Sequence, residues 1–210
     1  LVTEGTKIVA GETGTTATVN NALTAATAAT LAGVNNVTAI FGAGVTDEIA
    51  NMTDNDHTIN TNVTTLTTED TDVVITIDDG SGTVDARKLS ALGSSTGGTV
   101  TVSNALTITG DHDQVKAALV TESSKVSASS ALVTINDANS TAITAAELSD
   151  IGGATGGTVT VSNAVSITGN HDAVKAALVT ESSKVSVSTA TVTINDANST
   201  AITAAELSDI

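Results

Sequence analysis

The chain has 210 residues, with 23 acidic and 7 basic side chains, a net charge of −16, no Cys, Pro, Trp or Tyr, and one Phe and one Met. So acidic a surface repels nucleic acid and anionic lipid, and no basic stripe or stacking aromatics offset it. Without cysteine there is no disulfide or thiolate metal site, and no apolar run reaches the roughly 18 residues that crossing a bilayer requires.

The apolar residues are mostly Ala, Val and Ile among abundant Thr, which suits thin stacked layers better than a thick aromatic core. The opening Leu1-Val2-Thr3-Glu4 lacks signal-peptide character, as a mature form or a fragment would. From there a hexamer recurs: aliphatic or Ala, Thr, Val or Ile, Ser/Asn/Asp, Asn/Asp, Ala/Gly. It begins at Ala17, Ile75, Val100, Val133, Val159 and Val192, with a degenerate seventh copy at Val37-Thr38-Ala39-Ile40. Alternation within the hexamer predicts a strand. Helical signals follow, at residues 27–31, 85–89, 110–119, 144–148 and from Thr203. Asp111 with Gln114, Thr144 with Glu147 and Thr203 with Glu206 have capping-box spacing. Lys125-Val126-Ser127-Ala128 and Lys184-Val185-Ser186-Val187 read as additional strands, and Gly97-Gly98 and Gly152-Gly153 as loops between units.

Residues 97–151 recur at 156–210 with 48 of 55 positions identical, an offset of 59. The chain ends where the repeat ends, from which further copies in a parent protein are expected. The organisation read from this is a diverged N-terminal part, 1–92, and two repeat units, 93–151 and 152–210.

Helices of two or three turns are unstable alone and need packed neighbours. Half-units of 25–33 residues match the period of stacked repeats. The expected fold is therefore a repeat solenoid of parallel β-strands with short α-helices, α/β or β-helix-like, with equivalent hexamers stacked on one another. Tandem small α+β domains are the alternative. Pattern parity sends Val100 and Val102, and their equivalents, into the core. The opposite face then exposes Thr76, Thr101, Thr134, Thr160 and Thr193. Position five is always Asn or Asp: Asn21, Asp79, Asn104, Asp137, Asn163 and Asp196. Stacked turn on turn, these would form a structural ladder that satisfies turn backbone groups.

The units GTVTVSNA, ITG-x-x-x-x-V-x-AAL and TAITAAELSDIGGATGGTV resemble the Ala/Thr/Val-rich tandem repeats of very large bacterial surface proteins, the adhesin-like β-strand-repeat proteins of cyanobacterial type. The resemblance covers most of residues 75–210 and only weakly 1–74. It implies an extracellular, cell-surface structural role and transfers no catalytic residue.

The remaining candidates are local. Asp111-His112-Asp113, matched by Asn170-His171-Asp172, places a histidine between carboxylates, with Asp54-Asn55-Asp56-His57 upstream. The Asp111/Asn170 exchange favours a helix cap beside an exposed histidine over a metal ligand. Asp78, Asp79, Asp137 and Asp196 are weak calcium candidates, although no EF-hand or nonapeptide calcium loop is present. Ser, His and Asp recur in register and no single site breaks the repeat, so no enzyme and no catalytic residue are expected. The Thr-x-Thr strands raise an ice- or glycan-binding face as the alternative function. The expected partners are copies of the same repeat, end to end, and neither nucleic acid nor a membrane interior.

Overall fold

The computed structural model describes residues 14–198 and 200–210; the opening Leu1-Val2-Thr3-Glu4 lies outside them. In chain order the elements are β1 (Thr15–Thr18), α1 (Ala25–Ala32), β2 (Val37–Ile40), β3 (Val45–Asp47), α2 (Thr61–Glu69), β4 (Ile75–Ile77), β5 (Thr83–Asp85) and α3 (Ala86–Ser95). Then follow β6 (Val100–Val102), β7 (Thr107–Gly110), α4 (His112–Leu119), β8 (Val126–Ser127), β9 (Leu132–Ile135), β10 (Ala142–Thr144) and α5 (Ala145–Ala154). The last are β11 (Val159–Val161), β12 (Ser166–Gly169), α6 (His171–Leu178), β13 (Val185–Val187), β14 (Thr191–Ile194) and α7 (Ala204–Asp209). The fold is α/β, with parallel sheets and strands alternating with short helices.

All strand pairs named here are parallel, in four sheets ordered β1-β2, β3-β4-β6-β8, β13-β11-β9-β7-β5 and β10-β12-β14. Val100 pairs with Ile75 of the preceding turn and with Val126 of the following one. Val133 pairs with Ile108 and Val159, and Ile167 with Ile143 and Val192. Parallel neighbours need a crossover, and here a helix supplies it in most turns.

The hexamers do not form the single column that the sequence pattern predicts. Ile75 pairs with Val100, and Val133 with Val159, but Val100 and Val133 are not partners. The cause is length. The half-unit from Val100 to Val133 is longer than one chain turn, so Val133 lands beside Ile108 of the ITG strand. β9 thus joins two kinds of neighbour, and Val100 and its repeat equivalent Val159 lie in different sheets.

Side chains follow the pleat. In β4, β6 and β11 the outer positions are buried and the central Thr is half-buried or exposed. One apolar cluster runs from Ala25 to Ala177, built largely of Ala, Val, Leu and Ile, with Phe41 and Met52 inside it. Helix α3 crosses the 92/93 division and α5 the 151/152 division. Gly152 and Gly153 lie in the last turns of α5, not in a loop between units. Gly152 is buried there because the following turn at Ser183 packs directly on it, and an added Cβ would collide with the Ser183 carbonyl. Gly93 of α3 meets Ser124 in the same way. No helix among the described residues is long and apolar enough to cross a membrane.

Candidate functional site

The most connected polar structure is the row of Asp and Asn residues at the strand ends. A helix leaves its first amides without intrahelical acceptors. In this chain an aspartate from a later turn supplies one. Asp47 accepts from the Ala25 amide at 2.9 Å, Asp79 from Ile49 at 2.8 Å, Asp137 from His112 at 2.7 Å and Asp196 from His171 at 2.9 Å. Ala25, His112 and His171 each open an α-helix, and Ile49 opens a 3-10 turn.

The asparagines do the complementary work. Asn104 Nδ2 donates to the carbonyls of Asp78 and Asp79 at 3.2 and 2.8 Å, and Asn163 Nδ2 to those of Asn136 and Asp137 at 3.4 and 2.6 Å. Asp137 therefore reaches back to His112 with its carboxylate and is held from ahead by Asn163. Asn21 is exposed and stands apart from this network. Asp47, in Val45-Thr46-Asp47, is a member the sequence reading missed. The Val-Thr start was its only signal, because the hexamer does not continue.

Lysines serve the other helix ends. Lys125 and Lys184, both in left-handed backbone conformation, donate from Nζ to the carbonyls of Thr96 and Thr155, the C-caps of α3 and α5, at 3.0 and 2.9 Å. A cation there also suits the negative end of the helix dipole.

The histidines differ from the expected exposed cap neighbours. Asp111 is indeed the N-cap of α4, with Gln114 completing the box, and Asn170 caps α6. But His112 is buried, 8% exposed, and its Nδ1 lies 2.7 Å from Asp137 Oδ1. His171 repeats this with Asp196 at 2.8 Å. The hydrogen bond to Asp196 raises the pKa of His171 and, reciprocally, lowers that of Asp196. The burial comes from a strand end one turn later in the chain. His57 instead faces Asp85 and Arg87 at the start of α3, at 3.2 and 2.9 Å.

Of the calcium candidates, Asp137 and Asp196 use both oxygens on a histidine amide and ring, Asp79 accepts from Ile49, and Asp78 is exposed. Asp78 and Asp79 share one turn while Asp137 and Asp196 lie in two others, and the four are not gathered around one point. The threonines also fail to form one face. Thr76 and Thr101 share the β3-β4-β6-β8 sheet, Thr134 and Thr160 the five-stranded sheet, and Thr193 the β10-β12-β14 sheet. Thr160 and Thr193 are exposed, while Thr76, Thr101 and Thr134 are half-buried. The slip at β9 is what divides them.

Between α4 and α5, Lys116 Nζ contacts Glu147 Oε1 at 2.9 Å, while Glu147 Oε2 receives the amide and hydroxyl of Thr144. The lysine bond first, and the Thr144 bonds second, pull the Glu147 pKa down to about 2. At the C-terminal end the repeat is uncovered. Leu148 is fully buried but its equivalent Leu207 is 58% exposed, and Val192 and Ile194 are half-buried where Val133 and Ile135 are buried.

No family model, no curated protein and no solved structure matches this chain.

Proposed function

We propose that this chain is a structural tandem-repeat region of a secreted bacterial cell-surface protein: a solenoid segment of an adhesin stalk, a surface layer or an extracellular filament. The observation that carries this reading is the cross-turn ladder. Asp137 and Asp196 make the same pair of contacts to His112 and His171, and Asn104 and Asn163 the same contacts to the turn before them. The conspicuous polar groups are thus occupied in holding one turn to the next. Such nearest-neighbour bonding makes an array extendable, since each added turn finds the partners of the previous one. Because each turn bonds only to its neighbours, a further repeat or a second copy would join end to end through the same contacts. The high negative charge keeps such an array soluble.

The test is location and form. An antibody against residues 97–210, applied to intact source cells and imaged by electron microscopy, should decorate the cell surface or extracellular rods. Labelling only after permeabilisation would contradict the proposal.

A further inference from the structure

Helices α4 and α5 meet at a group whose chemistry exceeds that of an ion pair. The potential ligand atoms of His112, Asp113 and Glu147 all lie within 4.8 Å of one another, the one such group among the described residues. His112 Nε2 is 3.6 Å from Asp113 Oδ1, and the other ring nitrogen is anchored on buried Asp137. With Nδ1 held by a carboxylate, Nε2 is the ring atom left to meet a metal, the usual outer-shell arrangement of a metal-binding histidine.

We propose that His112, Asp113 and Glu147 form a binding site for a zinc-class divalent ion, with Asp137 orienting the imidazole. Imidazole nitrogen and carboxylate oxygen are both ligands that zinc accepts, and three protein donors leave a fourth position for water. Ligand bonds of about 2.0–2.2 Å place tetrahedral donors about 3.3–3.5 Å apart, so the group must tighten. Asp113, 79% exposed, is free to turn. Glu147 keeps Oε2 on Thr144 and offers Oε1 once Lys116 leaves. Lys116 has somewhere to go: its equivalent Lys175 pairs with Asp209, and the residue matching Asp209 in the first copy is Asp150.

The exchange of Asp111 for Asn170 does not bear on this site, because residue 111 caps the helix and is not a ligand. The same residue types recur as His171, Asp172 and Glu206, but among the described residues only the first set is gathered within 4.8 Å, so one site is expected. Bound metal would clip α4 to α5 across successive turns, whatever the array does for its host.

The test is titration of the chelator-treated 210-residue chain with zinc by calorimetry, and with cobalt by visible absorption. One tight equivalent is expected, with a tetrahedral cobalt spectrum. Asp113→Ala, a surface change, should remove that equivalent. Asp137→Asn should weaken it by about 10–100-fold. Lys116→Met should tighten it by removing the competing cation, and Asp111→Asn should leave it unchanged. Absence of binding at millimolar zinc, or equal affinity in Asp113→Ala with the fold retained by circular dichroism, would overturn the site. If these contacts are only ion pairs, Lys116→Met will confer no gain in affinity, which also counts against it.

Discussion

Asp137 holds His112 twice from the following turn, with one carboxylate oxygen 2.7 Å from the backbone amide and the other 2.7 Å from Nδ1. Both residues are buried, so each group would be unsatisfied without the other. We expect Asp137→Ala to cost about 2–4 kcal/mol, since it orphans a helix-start amide and a buried ring nitrogen together. Asp137→Asn retains an acceptor and should cost less. Asp196→Ala should also cost less, because that turn is more open. Urea denaturation of the three variants checks the order.

Two neighbouring glycines should respond with opposite sign. Gly152 packs under the Ser183 carbonyl, whereas a Cβ on Gly153 meets nothing within 4 Å. Helix propensity alone makes Gly→Ala favourable by about 0.8–1 kcal/mol. Gly153→Ala should gain up to about that amount. Gly152→Ala should instead lose about 1–3 kcal/mol as the turn at Ser183 is pushed away. Equal shifts in melting temperature would refute this packing.

The His171–Asp196 pair gives stability a pH window in metal-free buffer. The His171 pKa is raised above its ordinary 6.5, so its contribution is complete below that value and lost as pH rises through the raised one. The Asp196 pKa is lowered from 3.8, so its contribution is present above that value and lost as pH falls through the lowered one. The melting-temperature difference between wild type and His171→Gln should be largest at about pH 4–6.5 and shrink above it. A difference that grows toward about pH 9, beyond the ordinary histidine range, would contradict the pairing.

The divided threonines bear on the ice-binding alternative. Lattice matching needs a flat, continuous row, and sheets twist by roughly 20–25° per strand pair. Leu132, beside Thr107 in register, also interrupts the pattern with an exposed aliphatic side chain. The chain should show no thermal hysteresis and no shaping of ice crystals. Thr101→Tyr and Thr160→Tyr should leave stability within about 0.5 kcal/mol, as substitutions on partly exposed strand faces usually do. Hysteresis abolished by these changes, with the fold kept, would restore the threonine face as an active surface.

What was legible in the sequence was local. Strand alternation at Val100 and Val133 and the caps at Asp111 and Thr144 follow from neighbours in the chain, whereas the position-five residues bond across turns without forming the single ladder the repeat predicts. β5, β7 and β10 escaped notice because three or four residues such as Thr83–Asp85 carry too little pattern. α2 was missed because its run of threonines lacks a helical signature, although Asn60 caps it. The slip at β9 and the burial of His112 depend on residues a full turn away in the chain. No local pattern reports such distances, and turn length decides them.

The repeat units, offset by 59 positions, are expected to continue one stack rather than fold as separate domains. Each unit holds about two turns, and parallel strands lie about 4.8 Å apart, so each added unit should lengthen the particle by about 10 Å. An independent domain of the same length would add about 25 Å, from the size of a compact chain. Small-angle X-ray scattering of this chain and of chains extended by one and two further copies of residues 152–210 measures the increment. A continuous stack gives the smaller increment, about 10 Å per copy, with melting temperature rising as the surface at Leu207 is covered. The larger one, about 25 Å per copy with an unchanged melting temperature, would contradict it.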